Sequence, residues 1–212
     1  MLSTMNLRDF TNDLASNSPA PGGGSVAALS AALASSLTSM VFNLTIGKKV
    51  YNNYDEEIKT KIKENLECVT KLKDDFIASM EEDAKVFMEL MSAFKLPKET
   101  EEEKAFRKKE IDKAYKVALD VPYSLAKSSF GLYDSILVAA NYGNINAISD
   151  AGVAALMLQS AIESAVLNVN INLSSMEDGE EKEKIRICCR ELVEEGRVKR
   201  DKILDITNSK IG

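Results

Sequence analysis

The stretch from Ser18 to Tyr51, SPAPGGGSVAALSAALASSLTSMVFNLTIGKKVY, decides how this chain folds. Its two prolines and three glycines cannot continue a helix, and Ser25 directly after them can cap a new one. Over residues 25–46 large apolar residues recur at steps of three and four, as on one stripe of a long helix: Val26, Leu29, Leu33, Leu37, Met40 and Leu44. The opposite face carries only small residues: Ala28, Ala31, Ala32, Ser35 and Ser39. Such a helix can be packed closely on both sides, so we predict that it is central and that Gly47 is its C-cap.

The rest of the chain repeats the helical pattern. Further helices are predicted over Thr4–Ser16, Glu56–Phe94, Glu99–Tyr142, Ala147 to about Ser175 and Glu180 to about Thr207. Pro122 is expected to kink its helix or to divide it in two. No stretch alternates with period two beside a hairpin turn, so we predict an all-α fold, an antiparallel up-down bundle of long helices, as a single domain over residues 1–212. The helices 25–46 and 151–173 are apolar most of the way round, and we expect the chain to dimerise through them as a homodimer or a dimer-based oligomer.

Composition excludes several classes of protein. The 212 residues carry a net charge of −6 without a basic tract, which argues against a nucleic-acid partner. The chain has no histidine, its three cysteines show neither metal-ligand nor disulfide spacing, and it has no phosphate loop, so we expect no metal and no cofactor. Residues 14–47 carry no charge, but their many hydroxyls suit packing inside a protein better than a membrane. With no signal-peptide pattern, the expected location is cytoplasmic.

Asp83 is the most informative residue for chemistry. It lies on the apolar stripe of the predicted helix Glu56–Phe94, where a carboxylate is costly unless it is paired or solvated. A buried hydrogen bond, or a salt bridge to a lysine of a neighbouring helix, would explain it structurally. Alternatively, it is a catalytic acid or base, because carboxylates in such positions mark functional sites in many proteins.

Two other groups of polar residues have structural explanations as well. Asn146 and Asp150 share one face at the start of a helix, where Asn146 or Ser149 can cap and Asp150 can interact with the helix dipole. Lys48, Lys49 and Tyr51 can be an ordinary solvated helix end. Three consecutive glycines exceed what a turn needs, which suggests close approach of the backbone to a ligand.

Three blocks of this sequence resemble the formiminotransferase-cyclodeaminase C-terminal family in the family's order. They are SPAPGGGSVAALSAALA with LTIGKKVY, then EDAKVFMELMSAFKLPK (Glu82–Lys98), then NINAISDAGVAALMLQSAIESAVLNVNINL (Asn144–Leu173). The resemblance implies catalytic roles for Asp83 and Asp150. It implies that tetrahydrofolate derivatives are bound, near a dimer interface, by Pro21, Gly22, Gly23, Gly24, Ser25, Lys48, Lys49, Tyr51, Asn144 and Asn146. The lysine pair is a natural acceptor for the glutamate carboxylates of a folate.

The resemblance also implies one of two related activities. Free-standing members include methenyltetrahydrofolate cyclohydrolases, which we favour, and formiminotetrahydrofolate cyclodeaminases, which form the same bridged cation with release of ammonia. A third hypothesis is a non-enzymatic helical module that only dimerises. That module would explain the apolar stripes, but it would explain neither the triple glycine nor the acid within a stripe.

Overall fold

The computed structural model describes residues 1–212 as seven α-helices without a strand, which confirms the all-α prediction. The helices are α1 (Leu7–Leu14), α2 (Gly23–Asn43), α3 (Lys49–Asn52), α4 (Glu56–Phe94), α5 (Glu101–Tyr142), α6 (Ile148–Ser174) and α7 (Glu180–Ile211). Short 3-10 turns cover Leu2–Thr4 and Ile145–Ala147. The sequence pattern had not indicated α3 as a separate element.

Four long helices form an up-down bundle. Helix α2 packs between α4 and α6, α5 packs against α4 and α6, and α7 covers the α5–α6 side. Side-chain bonds show the antiparallel order of α2 and α4, because Ser35 contacts the Val69 carbonyl while Ser25, ten residues earlier, contacts Asp83. A single cluster of 35 buried residues joins these helices into one core.

The small face of α2 faces this core, and of its large stripe Leu29 and Leu37 also pack against it. The alanines from Ala27 to Ala34 are buried together with Ser35 and Thr38, which lets the helix axes approach closely. Leu33, Met40 and Leu44 of the large stripe are exposed. Helix α2 is central, as predicted, since it lies between α4 and α6, but part of its large stripe is not covered within the isolated chain.

Helix α5 runs without a break through Pro122. The expectation that Pro122 divides this helix in two is therefore wrong. A proline has no N–H, and this one leaves the carbonyl of Ala118 without its usual donor four residues later. Asn172 of α6 supplies the missing donor, with Nδ2 at 2.8 Å from that carbonyl oxygen. The helix continues because a neighbouring side chain satisfies the carbonyl that the proline leaves free.

The start of α4 has a side-chain cap, whereas the end of α2 differs from the prediction. Asp55 caps α4 by accepting from the N–H of Ile58. Helix α2 ends at Asn43, and Gly47 lies in the turn beyond it with a φ of 78°, so Gly47 is not the C-cap of α2.

Helix Gly23–Asn43 and the segment Ile145–Ser174 are long and apolar enough to cross a membrane by length and composition alone. In each of them 56% of the most apolar window is buried in the bundle. Much of their apolar surface is thus covered by neighbouring helices of the same chain.

Candidate active site

Helix α2 begins at Gly23 with Gly22 as its N-cap, and no side chain caps it from within its own sequence. The prediction that Ser25 is the cap is therefore wrong. Ser25 lies inside the first turn and is fully buried. Pro21 is buried as well, directly before this turn. The first N–H groups of α2 have no partner within the helix, and they form the positive end of its dipole.

Asp83 of α4 lies at this helix N-terminus. The Ser25 hydroxyl donates to Asp83 Oδ2 at 2.8 Å. A side chain on Gly24 would overlap Asp83 Oδ1 and would lie 2.5 Å from Cγ, so only glycine leaves room for the carboxylate here. The close approach predicted for the glycine run exists at Gly24, but the group that approaches is a side chain of the same protein.

Asp83 is partly buried, and no neighbouring charge acts on it. Burial raises the pKa of Asp83, and hydrogen bonds from the Ser25 side chain and backbone offset part of that rise. Asp83 takes part in none of the ion pairs of the chain, so the salt bridge considered from the sequence is absent. A half-buried carboxylate with a hydroxyl partner and no cationic one is suited to receive a cation or a proton.

Asn168 of α6 lies on the other side of the same turn. Its Nδ2 and Oδ1 are 3.4 Å and 3.6 Å from the position that a side chain on Gly23 would occupy. Sequence reasoning missed this residue, although it lies in the third family-like block. A usable signal was present, since Asn168, Asn170 and Asn172 alternate within an otherwise apolar helix.

The remaining predicted residues form a second cluster at the other end of α2. Asn144 donates from its backbone to Thr45 Oγ1 and from Nδ2 to the Leu44 carbonyl, both at 2.8 Å, and its Oδ1 accepts from the N–H of Asn146. These bonds fix the start of α6 against the end of α2. The expectation that Asn146 or Ser149 caps α6 is wrong, since Ala147 is the N-cap and makes no side-chain bond.

Charged and aromatic groups surround this junction. Lys48 and Lys49 are exposed and form no ion pair, while Tyr51 is 7% exposed and its buried hydroxyl has no hydrogen-bond partner. Asp150 is half-buried in the first turn of α6, where its charge suits the helix dipole. The junction therefore has two free cations, a half-buried carboxylate and a buried phenol without a partner.

The two clusters do not meet within one chain. Twenty residues of α2 separate Gly24 from Leu44, which corresponds to about 30 Å along the helix axis. The structure thus brings Gly23, Gly24, Ser25 and Asp83 together. It places the lysine pair, Tyr51, Asn144, Asn146 and Asp150 at the opposite end of the bundle.

Comparisons with known proteins agree with this architecture. Residues 6–191 match the family described as Formiminotransferase-cyclodeaminase. The chain is 41% identical over 172 residues to a methenyltetrahydrofolate cyclohydrolase of Methylorubrum extorquens. The aligned region covers 81% of each of the two chains. It is 35% identical over 191 residues to the formimidoyltransferase-cyclodeaminase of Rattus norvegicus, of which it spans only 35% of the length. A crystal structure of formiminotetrahydrofolate cyclodeaminase from Thermotoga maritima aligns with a TM-score of 0.78 at 25% identity, covering 99% of this chain and 97% of that one.

Proposed function

The chain belongs to the formiminotransferase-cyclodeaminase family, as its three sequence blocks predicted, and on this premise we propose that it is a methenyltetrahydrofolate cyclohydrolase. The proposed reaction is hydrolysis of 5,10-methenyltetrahydrofolate to 10-formyltetrahydrofolate. The observation that carries the proposal is the unpaired carboxylate of Asp83, held by Ser25 at the start of α2. The preference for this substrate is supported by the Methylorubrum cyclohydrolase, which matches the chain over most of both lengths.

The chemistry needs few parts. The bridging carbon of the methenyl substrate lies between two nitrogens in an amidinium-like cation. Asp83 can stabilise that cation and accept a proton from the water that attacks the carbon. The new C–O bond yields a neutral carbinolamine. The C–N5 bond then breaks, N5 leaves with a proton, and the formyl group remains on N10.

The cyclodeaminase reaction is the second candidate, and the likeness to the Thermotoga structure favours it specifically. It closes the same bridged cation from 5-formiminotetrahydrofolate and releases ammonia. Both reactions place positive charge at the same carbon beside a carboxylate. The comparisons support an enzyme over the purely dimerising module in either case.

The proposal includes a homodimer formed through α2 and α6. Leu33, Met40 and Leu44 form an exposed stripe on α2, and α6 exposes Val153, Leu156, Leu167 and Ile171. Because α2 and α6 pack against each other, we take the two stripes to form one apolar surface. Soluble monomers rarely leave a contiguous patch of this kind uncovered.

We further propose that each site is shared between two chains. A folate is shorter than the distance of about 30 Å that separates Asp83 from the lysine pair along α2. An isologous contact that sets α2 antiparallel to its copy would place the Gly24 end of one chain beside the Lys48 end of the other. Asp83 would then act on the ring system, while the partner's lysines would hold the glutamate carboxylates.

We also propose a single-domain organisation and a cytoplasmic location. We take residues 1–212 as one helical domain, which the shared core supports. We place the protein in the cytoplasm, where its three cysteines, all free in the structure, would stay reduced.

The test is an absorbance assay of the purified protein with both substrates, before and after exhaustive treatment with a chelator. Loss of the methenyl absorbance that survives the chelator supports the cyclohydrolase and its carboxylate mechanism. An inert methenyl substrate together with ammonia release from the 5-formimino substrate would make the cyclodeaminase correct. Loss of activity on chelation would refute the carboxylate-only mechanism.

The shared site has a separate test in mixed dimers. A chain with Asp83→Asn and a chain with Lys48→Ala and Lys49→Ala each damage one half of every site in their own homodimers. A heterodimer of the two would contain one undamaged site. Activity at low substrate should therefore rise when the two proteins are unfolded and refolded together, and no rise would place both halves in one chain.

A further inference from the structure

We propose that Asn168 determines specificity for the ring system of the substrate by reading the lactam edge of the pterin. The inference rests on the proposed function, because it concerns the same end of α2. A lactam edge presents an N–H donor beside a carbonyl acceptor. A carboxamide side chain presents the complementary pair, one acceptor and one donor.

The position of Asn168 supports a role toward a ligand. Its amide lies against Gly23, while Asp83 lies against Gly24, so the two side chains flank consecutive residues of one turn. In the pterin of the proposed substrate, the lactam carbonyl is adjacent to N5, which carries the reacting carbon. A group that binds the lactam edge therefore has to lie close to the group that acts on that carbon.

The amide of Asn168 is only partly used by the protein. Nδ2 donates to the carbonyl of Ser164 at 2.8 Å. Its second N–H and Oδ1 have no partner in the chain, and Oδ1 is not among the enclosed polar atoms without a partner. The unpartnered Oδ1 of this half-buried residue is therefore accessible from outside the bundle, and the second N–H of the same amide is left unused by the protein.

The bond to Ser164 also fixes which way the amide points. A flipped Asn168 would set Oδ1 against the Ser164 carbonyl, acceptor against acceptor, and would lose that hydrogen bond. The donor and the acceptor thus keep fixed places. An asparagine held in this way can distinguish a lactam from the reversed pattern of an amidine edge, which a freely rotating amide could not.

The two neighbouring asparagines of α6 differ from Asn168 in their contacts. Asn172 lies one turn further on and satisfies the Ala118 carbonyl freed by the proline of α5. The side chain of Asn170 is exposed and forms no hydrogen bond within the chain. Asn170 is therefore a matched control, because it has the same residue type, lies in the same helix and is two positions away.

The experiment measures binding of two stable probes, folic acid and its 4-amino-4-deoxy analogue, whose edge has the reversed donor and acceptor. Wild-type protein should bind the lactam form at least tenfold more tightly, since a site built for one polar pattern rejects the opposite one. In Asn168→Leu the ratio of the two dissociation constants should fall to within about twofold, while Asn170→Leu keeps the wild-type ratio.

The outcomes separate this inference from the proposed function. If wild-type protein binds neither probe, the proposed folate function itself fails. If wild-type protein discriminates and Asn168→Leu discriminates equally, the assignment of Asn168 is wrong. If a folded Asn168→Leu variant with an unchanged melting temperature loses both probes altogether, the residue shapes the pocket in general and the specificity role is refuted.

Discussion

Replacement of Gly24 by alanine should disable the site while leaving the fold intact. The added methyl group would overlap Asp83 Oδ1 and lie 2.5 Å from Cγ, so the carboxylate has to retreat by roughly 1 Å to reach ordinary contact distance. That retreat breaks the 2.8 Å bond from Ser25. A displacement of about 1 Å in a catalytic group costs on the order of a hundredfold in rate. Alanine is also a better helix former than glycine by about 1 kcal/mol, so loss of helix is not expected.

The assay is turnover of 5,10-methenyltetrahydrofolate by loss of its absorbance, with thermal unfolding followed in parallel. Gly131→Ala is the matched control, because a methyl group at that position of α5 meets nothing within 4 Å. This control should keep near wild-type turnover. A Gly24→Ala protein that stays within threefold of wild-type turnover would refute the reasoning, because Asp83 could then not require the place it occupies.

Four further outcomes are expected. Asp83→Asn keeps the shape and removes the charge, so turnover should fall at least about a hundredfold with the fold retained, and a change of only a few-fold would remove Asp83 from catalysis. Burial raises the pKa of Asp83, and the base must be ionised to act. Turnover of wild-type protein should therefore decline as the pH falls through that raised pKa, at a higher pH than an ordinary aspartate would give. A flat rate profile down to the ordinary aspartate range would contradict this. Alanine at either lysine of the pair 48–49 should raise the Michaelis constant more than it lowers turnover, with the effect weaker in high salt, and an unchanged constant would leave both as ordinary surface cations. Asn172→Ala should lower the free energy of unfolding by about 1–3 kcal/mol, because the Ala118 carbonyl loses its donor. Adding Pro122→Ala to that variant restores the missing N–H, so denaturant unfolding of the double variant should show most of the loss recovered.

The sequence by itself determined the class of fold and the identity of the central helix. Apolar spacing of three and four residues, with proline and glycine at the breaks, fixes where helices form, because both signals depend on local geometry. The same local logic singled out Asp83 as an acid on an apolar stripe. A resemblance carried by three blocks in order was enough to identify the family.

Only the tertiary structure decided how these parts are arranged. Sequence spacing shows that α2 has one face of large apolar residues and one face of small residues. In the structure the alanine face lies in the core, because small side chains let the helix axes approach closely, and Leu33 and Met40 are exposed. The effect of Pro122 on its helix could not be predicted from nearby residues. The hydrogen-bond donor that lets the helix continue comes from Asn172, fifty residues further along the chain. The predicted site residues likewise divide between the two ends of α2, since a helix of 21 residues is a rigid spacer that holds its ends about 30 Å apart. Which side chains meet depends on the antiparallel register of α2 against α4 and α6, and that register is set by packing between distant segments of the chain.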